Sequence, residues 1–200
     1  MQNKRDASGG QQAGHDAQPR PSALRLLSTA LARAELLAAG VLTFLLFALL
    51  LVNVASRFIG APLLWADELA VLLMAMAAFL AASAALDGRQ HIAVTLLPER
   101  LGPGGAAAMA LIVDLVLLGF MLFLGWMVWA WFDPIALMAA GSADAFAASS
   151  FNFIYQEPTV TLGLRKFWFW LVMPVFVICG TIHCLAQVET DLRRLKGIAG

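Results

Sequence analysis

Apolar residues along the chain fall into four long runs separated by polar connections. The runs cover about residues 36–55, 67–86, 106–132 and 167–188. Crossing a hydrocarbon core takes about 20 mostly apolar residues at about 1.5 Å rise each, so each run predicts a spanning helix. The second, Leu69 to Leu86 in its uninterrupted part, sits near the lower length limit. The third contains one charge, Asp114, and the fourth contains Pro174, which in a membrane helix more often makes a kink than a stop. The expected architecture is all-α: four transmembrane helices running up-down-up-down.

Residues 1–22 are polar and rich in Gly and Gln, with no apolar stretch fit for a signal peptide, and read as a disordered cytoplasmic tail before a membrane domain over 23–200. From Ala23 the periodicity becomes helical. Leu24, Leu27, Leu31 and Ala34 share one face and Arg25, Thr29 and Arg33 the opposite one. That pattern predicts a preceding amphipathic helix lying in the interface. An N-terminal extension of the first spanning helix fits equally well, because nothing breaks the pattern at Glu35.

Charge then orients the bundle. Ten of the thirteen Lys and Arg flank the spans on one side: Lys4, Arg5, Arg20, Arg25, Arg33, Arg89, Arg100, Arg193, Arg194 and Lys196. Only Arg57, Arg165 and Lys166 fall on the other. The positive-inside rule therefore predicts a multi-pass protein of the bacterial inner membrane with both termini cytoplasmic. All six Trp map to the opposite, outer end of the spans: Trp65, Trp126, Trp129, Trp131, Trp168 and Trp170. An interfacial anchor explains them without a partner.

Composition narrows the function classes. The chain is 61% hydrophobic and 13% charged, with zero formal net charge, which leaves no basic field for nucleic acid. Three His in all, at 15, 91 and 183, do not supply bis-histidine haem ligation. Cys179 and His183, four apart on one helix face, are a weak metal signal and read better as a packed pair. Cys179 and Cys184 are expected to be two buried thiols pointing in different directions. No cofactor, metal site or catalytic residue is expected.

Asp114, about 12 Å into its span, reads as a hydrogen-bond partner for a neighbouring helix, through Thr43, Ser83, Thr181 or His183. In the second span Ala70, Ala78 and Ala82 form one small-residue stripe and Ala77, Ala81 and Ala85 another, which predicts close helix packing. The segment from Asp133 to Lys166 is too long for a bare connection, and its apolar patches predict short interfacial helices.

One stretch carries a resemblance. Residues 53–70 read NVASRFIGAPLLWADELA, and after an Ala-rich span residues 87–101 read DGRQHIAVTLLPERL. This resembles the small permease subunit, DctQ type, of the tripartite ATP-independent periplasmic (TRAP) transporters. The positions that match are Asn53, Arg57, Phe58, Trp65, Asp67, Glu68, His91, Ile92 and Val94, with Pro174 early in the last span. Thr95 stands where an Asp commonly follows in the family, and the 133–166 connection is longer than usual. The resemblance implies a non-catalytic subunit that scaffolds a large multi-span permease and helps dock a periplasmic substrate-binding protein, for sodium-coupled import of an organic acid. The candidate structural or partner-interface residues are Asn53, Arg57, Trp65, Asp67, Glu68, His91 and Asp114, with membrane lipid as a further contact. On the residues alone, Arg57 with Asp67 or Glu68 makes an ion pair closing the outer hairpin, Trp65 is an anchor, and His91 caps the cytoplasmic loop. Two other readings are a standalone four-helix redox subunit and a homo-oligomeric channel lined by Asp114.

Overall fold

The computed structural model describes residues 22–88 and 102–199; His91, Thr95 and the tail before residue 22 lie outside them. Among the described residues seven helices follow in chain order: α1 Ala23–Phe58, α2 Leu64–Asp87, α3 Gly102–Phe132, α4 Pro134–Ala140, α5 Ala143–Ser150, α6 Phe167–Trp170 and α7 Val172–Ala199. Four of the helical stretches are long and apolar enough to cross a membrane. They alternate in direction. Ser22, Asp87 and Glu189 meet at one end, and Asn53, Asp67 and Trp131 lie at the other.

The predicted amphipathic helix is not a separate element. One unbroken helix of 36 residues runs from Ala23 through the first span, capped by Ser22, whose hydroxyl accepts from the Arg25 amide at 3.1 Å. Continuity follows from composition: no Gly or Pro lies between Ala23 and Ala39, so nothing stops propagation once the cap has formed. Its buried stripe is Ser28, Glu35, Ala39, Asn53 and Ser56, while Leu27, Leu36, Leu37, Phe44 and Leu51 are exposed. Burial is thus reversed relative to a soluble helix. Against lipid, apolar side chains lose nothing by facing outward, and polar ones must find partners inside.

Helix α2 is apolar all round, so its periodicity does not reveal which face packs. Ala66, Ala70 and Ala77 are buried, with Ser83, Leu86 and Asp87 completing the inner face. Ala78, Ala81 and Ala82 are exposed, so neither Ala stripe is buried along its length. Helix α7 is the hub, packing on α1, α2 and α3, while α1 packs along α2. The apolar core includes Leu86, Met121, Val128, Phe132, Phe176 and Val177, with Phe79 edge-on to Phe176 at 5.4 Å. Gly180 is what lets α7 approach: a Cβ there would lie 3.0 Å from Met121 Sδ of α3 and 3.1 Å from Leu86 Cδ1 of α2.

Pro174 lies early in the last span, which continues past it. It has no N–H to donate to the Trp170 carbonyl, and its ring crowds that group. The helix breaks at Leu171, which divides α6 from α7.

Between α3 and α6 the chain folds into a cap. Asp133, with φ 36°, turns the chain out of α3 and caps α4, accepting from the Ala136 amide at 3.1 Å. A short polar side chain tolerates this left-handed geometry better than most. Two short helices, α4 and α5, follow, and then an isolated antiparallel bridge between Pro158 and Arg165. Phe146 and Ile154 are buried, and Tyr155 packs on Phe146, Phe132 and Phe167, with ring centroids 5.6, 6.4 and 5.1 Å away. The Tyr155 hydroxyl donates to the Phe132 carbonyl at 2.5 Å. Its burial, with the Asp133 charge adding to it, raises the phenol above its ordinary value. An open cavity of about 560 Å³ lies beside this cluster, lined by Leu137, Tyr155, Arg165 and Trp168 among others.

Candidate functional site

Five of the seven candidate residues gather at the Trp-rich end. The connection from α1 to α2 is short enough to close on itself: the Ala61 amide donates to the Ser56 carbonyl at 2.9 Å, and the Leu63 amide to Ser56 Oγ at 3.3 Å. This brings the first turn of α2 against the last turns of α1. Asp67 then accepts from Asn53 Nδ2 and from Arg57 Nη2, both at 2.7 Å, one on each carboxylate oxygen. The ion pair foreseen for Arg57 is therefore with Asp67. Its side chains are more than half exposed, so it adds about 0 to 1 kcal/mol.

Glu68 has a different task. Its carboxylate accepts from the Val160 amide, the Thr161 amide and Thr161 Oγ1, each at 2.7 Å, and so pins the turn of the cap to α2. Trp65 lies at the same end, 38% exposed. Trp126, Trp129 and Trp168 are exposed, and Trp131, itself 39% exposed, also packs edge-on to Trp170 at 5.9 Å.

Arg57→Ala is expected to change thermal stability in detergent by no more than about 1 kcal/mol. Asp67→Ala should cost more, about 1 to 3 kcal/mol, because it also strips the partner from the buried Asn53 amide. Denaturation midpoints that fell equally for the two variants would show the Asn53 bond to be worthless.

Asp114 is buried in α3, within electrostatic reach of Cys184 on α7. Three of the four partners considered for it have other contacts: Thr43 and Thr181 donate to carbonyls of their own helices, Ala39 and Val177, and His183 is engaged by α1. A conducting ring of Asp114 would require the α3 to α7 interface to open. Cys179 and Cys184 are both free and buried, and they do face different helices: Cys179 lies beside Glu35 of α1 and Cys184 beside Asp114 of α3.

Among the described residues the largest polar assembly is at the other end of the bundle, and sequence reasoning missed it. His183 is fully buried, but its ring does not pair with Cys179 as expected. Nε2 lies 2.9 Å from Glu35 Oε2, and Nδ1 lies 2.8 Å from Ser28 Oγ. Ser28 Oγ donates to Asp87 Oδ1 at 2.5 Å, and the same oxygen accepts from Arg25 Nη1 at 2.9 Å. Gln187 Nε2 donates to the Asp87 carbonyl at 2.7 Å, and Ser22 Oγ to Glu189 Oε2 at 2.7 Å. Helices α1, α2 and α7 are thereby tied by side chains along one end of the bundle. The signal in the sequence was spacing: Ser28 and Glu35 are seven apart, Ser83 and Asp87 four, and Cys179, His183 and Gln187 four each. Each set occupies one helix face.

Taken together, these features define a class: an α-helical membrane subunit whose polar side chains hold its own helices and cap in place. Within that class the chain belongs to the family described as tripartite ATP-independent periplasmic transporters, DctQ component, which matches residues 46–194. It is a small permease subunit of a TRAP transporter, a multi-pass inner-membrane component that works with a large permease and a periplasmic binding protein. No curated protein matches the chain in a sequence comparison.

Proposed function

We propose that the chain is a non-catalytic scaffold for sodium-coupled import of an organic acid. In this reading it presents an apolar flank to the large permease and its Trp-rich cap to the periplasmic binding protein. The observation that carries the reading is how polarity is distributed. The Asn53, Asp67 and Glu68 side chains at the capped end bond within the chain, while large apolar groups there remain exposed: Phe58, Ile59, Met138, Phe151 and Val160. Isolated exposed apolar residues need no explanation, but several large ones at one end of the bundle suit a contact with protein or lipid. Phe151 supports the same view. It is 82% exposed and holds φ at 55°, a left-handed geometry that costs a non-glycine residue about 1 to 2 kcal/mol.

With the basic flanks on the cytoplasmic side, the cap lies in the periplasm, where a soluble binding protein can reach it. Substrate and ions belong to the large subunit, and the fixed bundle gives the moving part of that subunit something to move against. Glu68→Ala tests the arrangement, because it frees the turn at 160–161 without touching the buried core. In proteoliposomes holding both membrane subunits, the variant should co-purify normally with the large subunit but show several-fold slower uptake driven by the binding protein. Normal uptake would remove the cap from docking, and loss of co-purification would move its role to assembly.

A further inference from the structure

The buried assembly around His183 contains more acceptors than the protons formally assigned to it can satisfy, and counting them locates one more. A serine hydroxyl has a single proton. Asp87 is paired with Arg25 Nη1 at 2.9 Å, so its carboxylate is an acceptor, and the Ser28 proton points to Asp87 Oδ1. Ser28 Oγ can then only accept from the ring, which fixes a proton on His183 Nδ1. The contact between Nε2 and Glu35 Oε2 at 2.9 Å still requires a proton between its two atoms. Without one, an imidazole lone pair would face a carboxylate oxygen in a buried site, where two acceptors repel each other.

We infer that His183 and Glu35 form a binding site for one proton, which bridges α7 to α1. It is held either as imidazolium against carboxylate or as Nδ1–H imidazole against carboxylic acid. The two forms differ only in which atom owns the proton. The charged and titratable groups around the pair come from four helices. From α1 come Arg25 and Glu35, and from α2 Asp87, whose Oδ1 is 3.9 Å from Nδ1. Helix α7 adds Cys179 beside Glu35, and α3 brings Asp114 beyond Cys184. With the proton in place, Arg25, Asp87, Glu35 and His183 sum to zero charge. Without it they sum to one buried negative charge.

The test uses the full chain in lipid nanodiscs with ¹⁵N-labelled histidine. His15→Gln with His91→Gln leaves one imidazole, since the chain has three His. At pH 8 an ordinary imidazole, with a pKa of about 6.5, is neutral. The expected result at pH 8 is a ring protonated at Nδ1, with either a second proton at Nε2 or an infrared carboxylic-acid carbonyl band that Glu35→Gln removes. In Glu35→Gln the ring should hold only the Nδ1 proton, because the glutamine amide donates to Nε2 in its place. A neutral ring protonated at Nε2 alone would overturn the inference. So would an Nδ1–H ring with no carboxylic-acid band, or a ring in Glu35→Gln unchanged from a doubly protonated parent.

Discussion

His183→Ala is expected to destabilise the isolated subunit by about 3 to 5 kcal/mol, the cost of removing one partner from a buried ionic contact. The substitution strands Glu35, a carboxylate only 5% exposed, without the ring that meets it at 2.9 Å. It also takes away the ring nitrogen that meets Ser28. For a chain of 200 residues the loss corresponds to a fall in melting temperature on the order of 10 °C, read by thermal denaturation of detergent-purified protein. The companion variant sharpens the expectation. Glu35→Met combined with His183→Leu removes both partners and replaces them with apolar volume, which is often neutral for buried ion pairs. The double variant should therefore recover most of the lost stability. A double variant no better than either single one would show that these residues matter for shape and not for their pairing.

Gly180→Leu should be the next most damaging change, at about 1 to 3 kcal/mol or more, for a steric reason. Even a Cβ at this position would come 3.0 Å from Met121 Sδ and 3.1 Å from Leu86 Cδ1. Methionine is flexible enough to give way to a single methyl group, so Gly180→Ala should be tolerated. A leucine must push α7 away from α2 and α3 together, because the atoms it meets belong to both. Co-purification with the large subunit gives a second readout beside the melting temperature. If Gly180→Leu melted like the parent, the helices would have room to slide, and the close approach would not be a fixed point of the fold.

The spans were legible in the sequence because length and apolarity alone define them; the division at Leu171 was not, since Pro174 pointed only to a kink. The Arg57 to Asp67 pair was legible too, since a tight hairpin leaves few partners for a charge. Other features were not. Glu35 and Asp87 stand just outside their apolar runs, where neither run length nor hydropathy assigns them a partner; a helix continues through Glu35, and Asp87 closes the inner face of α2. A window about 20 residues long measures average polarity and does not see which polar groups of different helices share a depth. The partner of His183 was sought on its own helix, at Cys179, when it lay across the bundle on α1. The Ala stripes of α2 misled for a related reason: where every face is apolar, small residues do not identify the one that packs.

Helix α1 carries a last consequence. Its 36 residues make a rod about 54 Å long, well beyond a hydrocarbon core of about 30 Å. Near one end Arg25, Ser28 and Glu35 fasten it to α2 and α7, and near the other Asn53 and Arg57 fasten it to α2. A single spanning helix meets a thinner bilayer by leaning over. This one cannot lean without its neighbours, so the bundle must tilt as a unit or the surrounding lipid must stretch to meet it. Membrane thickness thus acts on the orientation of the whole subunit, and through it on the angle at which the cap is held above the bilayer.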